Sequence, residues 1–551
     1  MFSDRLRVTV KLTLAGTAHT IPAGNVRRLE LELASYGFSG RIEFWLAADK
    51  AYGGGYEDEL KAAFIKPDLI QVDLAVEAAH AEPETAASIQ PIAVSGLVTS
   101  KALTESQLRT ERDEPIVGRR YEVRFADPAR VLWGQHYPCE LYTEKSMQDV
   151  LDAHKGERIT LAYDWTALGA SQPLLFLGLD PAYGASFYDL VLWYVASGQA
   201  AFTYDYLSQG AQGSGSPGYK IAATKDTTGT PAKLFRDDVA RLALRFPEVV
   251  RYQARVLNSY ALSPATQIVD QEQKVTGIRQ DHLLHTPISQ AVDDRVSAET
   301  ARLFVRGMEL ELECGRYPTI TFVPGVRLTL ESDLLWSSQA VPLGQTYRVF
   351  EVRLVAEALV EGLDQDYGAP DTGFRVSLAA ALELDAEKTL RLPAFAEPRY
   401  PVYVEGLVVS EQGEEADETY QIYQDQSTSQ DQYKVAIPLW EKQQVTAPFG
   451  PGQGSDRLYF PLHKNDRVLV AFDFAGAEIV KTLDWRAGAR LAMEGQGDQV
   501  LFGKTPTSKT AMSFLYTEQK PVFSIARTND KDTSTIELQE GILRIVVKED
   551  T

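Results

Sequence analysis

Residues 5–12 are Arg-Leu-Arg-Val-Thr-Val-Lys-Leu, so apolar and polar side chains alternate along this stretch. The same alternation recurs over Leu29–Leu33, Ile42–Leu46 and Tyr121–Phe125, and with one slip over Val349–Leu354. A period of two places every apolar side chain on one face of an extended strand. Gly, Pro and Asp, which favour turns, separate these stretches. The sequence therefore predicts half-buried antiparallel strands arranged in sandwiches or barrels.

Length and charge narrow the classes of protein to consider. The chain has 551 residues, of which 44% are hydrophobic and 24% charged, an ordinary globular composition. At roughly 150 residues per domain, three or four domains are expected. Lys and Arg number 55 against 76 Asp and Glu, giving a net charge of −21. A chain this acidic lacks the basic surface that nucleic acid or an anionic membrane requires, so neither is an expected partner.

The sequence gives no sign of a membrane segment or of a disulfide framework. The N-terminus becomes charged at once and lacks a signal-peptide apolar region. The most apolar short stretch, Leu190–Ala196, is far below the ~18 residues that span a bilayer, so we expect a soluble protein with no stable membrane insertion. The only cysteines are Cys139 and Cys314. One bridge between them is an open alternative, but reduced buried thiols are favoured.

Helical signals are few and local. Ser146–Asp149 and Ser186–Asp189 each match a capping box, in which Ser and an acid three residues later satisfy the first backbone N–H groups of a helix. Ser297 is predicted to cap a third helix, which would carry Leu303, Phe304 and Met308. All three are expected to be short helices packed on barrels.

Three stretches lack a regular pattern. Residues 208–218 are rich in Gly, Ser and Gln and predict a flexible loop. Residues 384–401 contain three X-Pro pairs and predict an extended linker, with a domain boundary near 395. Glu411–Gln432 has seven acids and no Lys or Arg, which predicts a long solvated loop. An acidic docking surface is the alternative interpretation of that segment.

No set of residues in the sequence converges on catalysis or metal binding. Acid clusters such as Glu57–Glu59, Asp113–Glu114 and Asp293–Asp294 are expected on any surface with this many carboxylates. His282 and His285 would share a helix face at this spacing, but without an intervening Glu a structural or surface role is favoured. His136 and Cys139 are read as packing rather than as a nucleophilic pair. We therefore predict no catalytic residue, no metal ligand and no cofactor.

The last third of the chain contains a compact β pattern followed by a short tail. Strands are predicted at Tyr433–Ile437, Leu458–Phe460, Val468–Phe472 and Glu478–Val480, which suits a small Greek-key barrel. From about residue 491 the pattern changes, and Ile536–Leu538 and Leu543–Val547 form two further strands separated by Gly541. A tail this short cannot bury its own core, so packing between chains is expected.

The region from Pro401 to Trp485 resembles the small barrel of VgrG-type spike proteins of contractile injection systems. That barrel has a strand ending in an apolar residue and Trp, here Tyr433–Trp440, and a Gly-rich turn, here Gly450–Gly454. An apolar-Pro pair, here Phe460-Pro461, precedes a turn into an acidic-apolar strand, here Lys464–Phe472.

The resemblance extends upstream to the two-barrel hub of T-even phage tails. Tyr183–Tyr194 resembles the helix that precedes an aromatic strand, here Ala201–Tyr204. Phe322–Leu330 resembles the Pro-Gly strand entry, and Tyr347–Val352 resembles the strand that follows it. These motifs occur in the order of the family and cover most of the chain.

The sequence departs from the family pattern at the barrel entry and at the tail. Gln432–Ala436 stands where Gly-Arg-Val-Lys-Val is usual. The tail is too short for a lysozyme domain or a long needle, and no His follows His463 and no Cys follows Cys314. Any metal-bearing tip held by such ligands would therefore come from a partner. These departures favour an extracellular phage-tail-like particle over a type VI spike.

The resemblance implies a mainly β protein with two hub β-barrels and short helices in residues 1–390, an OB-like neck barrel in 395–490, and a short intertwined trimeric β-prism in 491–551. It implies a homotrimer that joins a sixfold inner tube to a threefold needle, with baseplate proteins, a PAAR-like tip protein and effector cargo as further partners. The tip protein would dock near Leu543, Ile545 and Val547. Assembly would occur in the bacterial cytoplasm, and contraction would drive the particle into a target. The alternatives are a glycan-active enzyme with an acid pair, and a glycan-binding module.

Overall fold

The computed structural model describes residues 1–47, 58–80, 89–109, 115–208, 218–286, 288–303, 306–330, 341–360, 365–387, 391–415, 417, 419–425, 431–449, 461–483, 497–505 and 507–549. The chain divides into two compact units, Met1–Tyr400 and Pro401–Thr551. Strands dominate both units, so the prediction of a mainly β protein is confirmed.

The described part of the first unit contains far more strand than helix. The strands are β1 (Phe2–Leu14), β2 (Thr17–Pro22), β3 (Val26–Ala34), β4 (Gly37–Ala47), β5 (Ile70–Ala78), β6 (Ile92–Arg109), β7 (Pro115–Ala126), β8 (Cys139–Ser146), β9 (Thr160–Asp164), β10 (Ser171–Gly178), β11 (Ala201–Tyr204), β12 (Gly218–Ala222), β13 (Ala232–Leu234), β14 (Val239–Arg245), β15 (Gln253–Asn258), β16 (Ala265–Val269), β17 (Arg279–Leu284), β18 (Glu309–Cys314), β19 (Arg327–Leu330), β20 (Thr346–Ala358) and β21 (Asp371–Leu384). The α-helices are α1 (Lys61–Phe64), α2 (Pro128–Trp133), α3 (Met147–His154), α4 (Phe187–Ser197) and α5 (Ser289–Arg302).

Eight antiparallel strands close into a barrel in the order β3-β4-β7-β6-β5-β1-β21-β20 and back to β3. The predicted alternation in β1 is confirmed, because Leu6, Val8, Val10 and Leu12 are all at most 1% exposed. Their intervening polar neighbours face outward, as a strand with one buried face requires. The slip predicted within Val349–Leu354 is a β-bulge in β20.

The β20–β21 hairpin also belongs to a second sheet. The early residues of β20 pair with β19, the late residues of β21 pair with β18, and the sheet order is β13-β19-β20-β21-β18-β14. Strands of 13 and 14 residues are more than twice the usual length of about five or six. This length is what lets one hairpin run through both sheets.

An α/β insert between β7 and β13 carries α2, α3, α4 and the strands β8–β12. Both predicted capping boxes are confirmed: Ser146 and Asp149 cap α3, and Ser186 and Asp189 cap α4. The aromatic strand expected after α4 is β11. Trp133 of α2 is 1% exposed and donates from Nε1 to the carbonyl of Lys155, which anchors α2 against the end of α3.

A second insert places α5 against the small sheet β16-β15-β17. The prediction that Ser297 caps a helix is wrong, because α5 begins eight residues earlier, at Ser289. Ser297 lies inside the helix, where its hydroxyl donates to the carbonyl of Asp293. The run around it is rich in Ala, Glu and Arg, good helix formers that extend the helix upstream of the expected cap. The helix ends at Arg302, before Met308.

The second unit begins after the extended residues 391–400 and contains two sheets. Its strands are β22 (Val402–Val409), β23 (Tyr423–Gln424), β24 (Asp431–Ile437), β25 (Gln443–Pro448), β26 (Arg467–Phe472), β27 (Ala477–Thr482), β28 (Asp498–Thr505), β29 (Ser508–Thr517), β30 (Lys520–Asn529), β31 (Asp532–Gln539) and β32 (Ile542–Lys548). In the first sheet the order β25-β24-β22-β26-β27 is closed by a bridge between Phe449 and Ile479, giving a small barrel. Tyr433, Val435 and Ile437 fill its interior.

The described residues of the acidic segment Glu411–Gln432 are more ordered than predicted. Tyr423 and Gln424 pair with Gln432 and Asp431, so part of the expected loop is strand. Lys434 holds the segment through an ion pair with Glu411 at 2.7 Å, and its ammonium lies 4.8 Å from the centre of the Tyr423 ring. Lys434 is thus one of the contacts that order residues which the composition alone assigned to solvent.

Some predictions concern residues outside those described. They include residues 209–217 of the flexible loop, 388–390 of the linker, 416, 418 and 426–430 of the acidic segment, the turn Gly450–Gly454, the strand Leu458–Phe460, Phe304, the acid pair Asp113–Glu114, Glu57, Trp485, and residues 491–496, 506 and 550–551 of the tail.

Candidate assembly interface

The last five strands form one antiparallel sheet in chain order, β28-β29-β30-β31-β32. Successive strands from β29 onward are joined by two-residue turns. Glu518 and Gln519 have φ values of 50° and 65°, Asp530 has 52°, and Gly541 has 72°. Positive φ at these positions is what two-residue hairpins need to match the twist of their strands. The tail is therefore a regular meander set by local turns.

The register of this sheet gathers apolar side chains on one face. Met512 lies opposite Ile525, which lies opposite Ile536, which lies opposite Ile545. A neighbouring row is formed in the same way by Phe514, Phe523, Leu538 and Leu543. Residues two positions along each strand extend these rows. This face, called the apolar face below, also carries the polar residues Asp498, Thr510, Arg527 and Ser534, and its apolar side chains are Val500, Phe502, Met512, Phe514, Tyr516, Phe523, Ile525, Ile536, Leu538, Leu543, Ile545 and Val547.

Among the described residues, none covers the apolar face enough to bury it. Ten large hydrophobic side chains of the tail are exposed, and nine of them lie on this face, with Ile542 as the exception. Ile545 is 67% exposed, and Leu543 and Val547 are each 63% exposed. Soluble monomers rarely expose a contiguous apolar patch larger than roughly a few hundred Å². Larger exposed patches mark interaction sites. No described residue of the tail is classed as buried.

The opposite face of the sheet is mixed and carries polar cross-strand contacts. Ser513 and Ser524 are hydrogen-bonded at 2.6 Å, and Glu537 lies opposite Arg544. Opposite charges and hydroxyl pairs of this kind stabilise a sheet face that meets water. The difference between the two faces identifies the apolar one as the face that requires a partner.

The three residues predicted to meet a tip protein all lie on β32. Leu543, Ile545 and Val547 project from the apolar face, and β32 pairs only with β31 among the described residues. Its outer edge thus offers unpaired backbone N–H and C=O groups, a template for pairing with another chain. The strand β28 occupies the same position at the other end of the sheet.

The sequence prediction found only the last two strands of this surface. The missed residues on β28–β30 follow the same period of two, with Val500 and Phe502 in one strand and Met512, Phe514 and Tyr516 in the next. That alternation was the available signal. It was weakened by the small and polar residues on the opposite face, such as Ser513 and Ser524.

The histidine pair considered as metal ligands does not share a helix face. His282 lies in β17 and His285 follows that strand, so side chains three positions apart point to opposite faces. His282 instead accepts from Arg295 at 2.7 Å and lies 3.4 Å from the fully buried carboxylate of Glu299. His282 thus contacts two side chains of α5, and the structural or surface role favoured for the two histidines stays a prediction. No group of three or more candidate metal ligands occurs within the described parts of the chain.

The cysteines behave differently from the prediction in one respect. Neither is in a disulfide, and Cys314 is buried as expected, but Cys139 is exposed. Burial raises the pKa of the Cys314 thiol to about 12, and partial burial also raises the pKa of Cys139. Both shifts favour the thiol over the reactive thiolate. His136 Nε2 lies 2.9 Å from His154 Nδ1, and the packing role of His136 and Cys139 stays a prediction.

Two of the acid clusters can be located in the structure, and only one of them is exposed on the surface. Asp293 and Asp294 are exposed on α5, as predicted. The expectation for Asp58 was wrong, because its side chain is 0% exposed. It accepts from Tyr121 at 2.6 Å and from Arg119 at 2.8 Å, which fastens the segment before α1 to the barrel.

Membrane-spanning helices are not found among the described helices, of which α5 is the longest at 14 residues.

Comparison with known proteins gives a likeness of fold without a likeness of sequence. No protein-family model matches the chain, and no curated protein matches it. A chain of the lidless PdpA-VgrG complex superposes with a TM-score of 0.71 at 14% identity, covering 100% of this chain and 99% of that one. A chain of the lidded Francisella PdpA-VgrG complex gives the same score and identity, covering 99% and 80%. The tail protein of Neisseria meningitidis MC58 matches at a TM-score of 0.42 and 11% identity over 68% of this chain and 96% of that one.

The match with the PdpA-VgrG chains extends over the whole length of both partners in the lidless form. At 14% identity it establishes a shared fold for the entire chain, including the barrel, the inserts, the small second barrel and the tail sheet. The VgrG-like fold inferred from the motifs is therefore supported at the level of structure.

Proposed function

We propose that this protein is the structural spike and hub of a contractile injection system. Residues 1–390 would form the hub, 395–490 the neck and 491–551 a short needle. Three copies would join the sixfold symmetry of an inner tube to the threefold symmetry of the needle. Its role would be mechanical, and the tube, baseplate proteins, a PAAR-like tip protein and effector cargo would be its partners.

The observation that carries this proposal is the likeness of fold to chains of PdpA-VgrG complexes over the full length of the chain. Those structures are complexes that contain a VgrG component, and the motif order in this sequence is that of VgrG-type spikes. A likeness confined to one barrel would fit many functions, because common folds are reused. A likeness that includes the tail fits a spike in particular.

The tail sheet supports association between chains, and a trimer is the form we propose. Its apolar face is exposed in one chain, and burying apolar surface is the main favourable term in association. Three such sheets with their apolar faces turned to a common axis would enclose a triangular core. Closed cyclic symmetry would cover every copy of the face at once, with no apolar surface left for further growth.

The position of β32 suits the docking of a tip protein. Strands in a sheet stack about 4.8 Å apart in the hydrogen-bonding direction, so in a prism built from this sheet the edge strand β32 would lie at one end. Its unpaired backbone groups near Leu543, Ile545 and Val547 would then form a flat threefold platform. A blunt platform of this kind fits a separate tip protein that supplies the point.

The proposal is tested by comparing the oligomeric mass of the full chain with that of a chain ending at residue 490. Light scattering on the full chain is expected to give three times 61.0 kDa, and the shortened chain is expected to lose the trimer while still unfolding cooperatively on heating. A full chain that stays monomeric at every concentration, alone and with purified inner-tube protein, would overturn the proposal. Equal trimer formation by both chains would contradict the role that the proposal gives to the tail.

A further inference from the structure

Two histidines make direct contact in the α/β insert, where four elements meet. His136 lies in the segment after α2, and His154 is the last residue of α3. Tyr142 and Glu140 project from β8 beside them. Phe187, the first residue of α4, packs its ring against both imidazoles, with centroids 5.5 and 5.2 Å away, and donates its backbone N–H to the carbonyl of His136.

Hydrogen-bond geometry fixes which atom donates at each step of this cluster. Tyr142 donates its single hydroxyl proton to the Glu140 carboxylate at 2.7 Å. The Tyr142 oxygen must therefore accept from His154 Nε2, 2.8 Å away. Since His154 is then protonated on Nε2, its Nδ1 is an acceptor, and His136 Nε2 donates to it at 2.9 Å. All these bonds are satisfied with both imidazoles neutral.

The first and the second proton added to the two imidazoles have different effects on this chain of hydrogen bonds. A first proton added at His136 Nδ1 leaves the bond from His136 Nε2 to His154 intact. A second proton has only His154 Nδ1 to occupy, and it would place two N–H donors 2.9 Å apart with a positive charge on each ring. The contact then changes from a hydrogen bond to a repulsion between two cations.

We propose that the His136–His154 contact is a pH-sensitive latch, which holds the end of α3 against the segment after α2 and the start of α4 near neutral pH and releases it in mild acid. The proposal concerns the insert alone and does not depend on the function proposed above. The contact joins elements that are otherwise held by the Trp133 bond to Lys155 and by the packing of Phe187. Its loss would remove one of the contacts that restrain the α3 terminus.

The surroundings of the latch oppose a charge on either ring more than they favour it. Burial lowers the pKa of His154 and of His136, and the nearby Glu140 offsets this only in part. Glu140 is half exposed and already accepts from Tyr142.

The other elements packed around the latch add little charge to it. On β10, the residues opposite Glu140 and Tyr142 are leucines. The remaining nearby charged groups interact with other residues. Lys155 pairs with Asp152 at 2.7 Å, and Asp189 caps α4. Asp180 lies near Cys139.

The sign of the pH dependence follows from these shifts. A histidine whose folded pKa is depressed binds protons more readily when the structure opens, so stability is present above the ordinary histidine pKa of about 6.5 and falls as the pH drops through it. Each unit of depression corresponds to about a tenfold change in the opening equilibrium. Mild acid should therefore open this region before the barrels are affected.

The test is hydrogen exchange measured by mass spectrometry on the full chain at pH 7.5 and pH 5.0, corrected for intrinsic exchange rates. We expect the protection of residues 147–155 to fall at least about tenfold between these values, while barrel strands such as β1 keep theirs. His154→Gln is expected to flatten this dependence, because a Gln amide can accept from His136 and donate to Tyr142 without titrating. His19→Gln, on β2 outside the insert, is the matched control and should preserve it.

Two results would overturn the latch. One is a protection of residues 147–155 that does not change with pH in the natural sequence. The other is a pH response in His154→Gln equal to that of His19→Gln. Should His154→Gln fold poorly, NMR titration of the natural chain decides the matter: coupled titration of the two imidazoles below the ordinary histidine range supports the latch, and independent titration near 6.5 refutes it.

Discussion

Replacing Ile545 with Ser should weaken trimer formation by a predictable amount. Ile545 is 67% exposed on the apolar face of the tail in a single chain. Full burial of an Ile side chain contributes about 1.5–3 kcal/mol, so covering the exposed two thirds contributes about 1–2 kcal/mol per chain. Three chains bury three copies, and the substitution removes about 3–6 kcal/mol per trimer.

This free energy converts directly into a concentration shift. At about 1.4 kcal/mol per factor of ten, the trimer dissociation constant should rise by about two to four orders of magnitude. That constant scales with the square of the monomer concentration, so the midpoint of assembly should move by about ten- to a hundredfold. Sedimentation equilibrium or mass photometry over a dilution series measures this midpoint.

Arg544→Ser provides the matched control. Arg544 adjoins Ile545 in the same strand but lies on the opposite face, opposite Glu537. Its replacement should move the midpoint by no more than about twofold, since exposed charge pairs contribute about 0–1 kcal/mol. The reasoning fails if Ile545→Ser leaves the midpoint unchanged, or if Arg544→Ser shifts it equally.

Three further predictions concern the fold of each unit, and thermal or urea unfolding checks them all. Ser186→Ala removes the cap of α4 and should lower the free energy of unfolding by about 1 kcal/mol, whereas Ser297→Ala, inside α5, should have almost no effect. Lys225→Met removes one of the two charge partners of Glu383, which is 2% exposed, and leaves Arg306. It should lower the free energy of unfolding by about 3–5 kcal/mol. An unchanged melting temperature would contradict this prediction. Gly406→Ala places a Cβ 2.3 Å from Val435 and should cost about 1–3 kcal/mol, whereas Gly476→Ala meets nothing within 4 Å and should be near neutral.

Local features of the fold could be predicted from the sequence because their causes are local. The alternation in β1, the bulge in β20 and the capping boxes at Ser146 and Ser186 each depend on a few adjacent residues. Strand partners could not be predicted in the same way. The strand β1 pairs with residues 371–376, more than 360 positions away, and nothing in either segment specifies the other. The error at Ser297 has a different, local cause, because a run of good helix formers upstream outweighed an apparent cap.

For the candidate sites too, features set by adjacent residues could be predicted and contacts between distant residues could not. The tail strands β31 and β32 were found from alternation, and the need for a partner followed from the shortness of the tail. The His136–His154 contact was not found, because these residues are 18 positions apart and meet only when α2, β8, α3 and α4 pack together. Asp58 was assigned to the surface for a similar reason: its partners Arg119 and Tyr121 come from a distant strand.

The hairpin shared by the two sheets of the first unit has a mechanical consequence. Where two sheets meet only through side chains, a pulling force is resisted by packing alone, which parts a few contacts at a time. Here β20 and β21 run unbroken from one sheet into the other, so the covalent backbone itself carries tension across the junction. Force along these strands would load a row of inter-strand hydrogen bonds together, in shear, instead of opening them one after another. The hairpin thus joins the two sheets of the first unit covalently, so that separating them would require breaking this row of hydrogen bonds together.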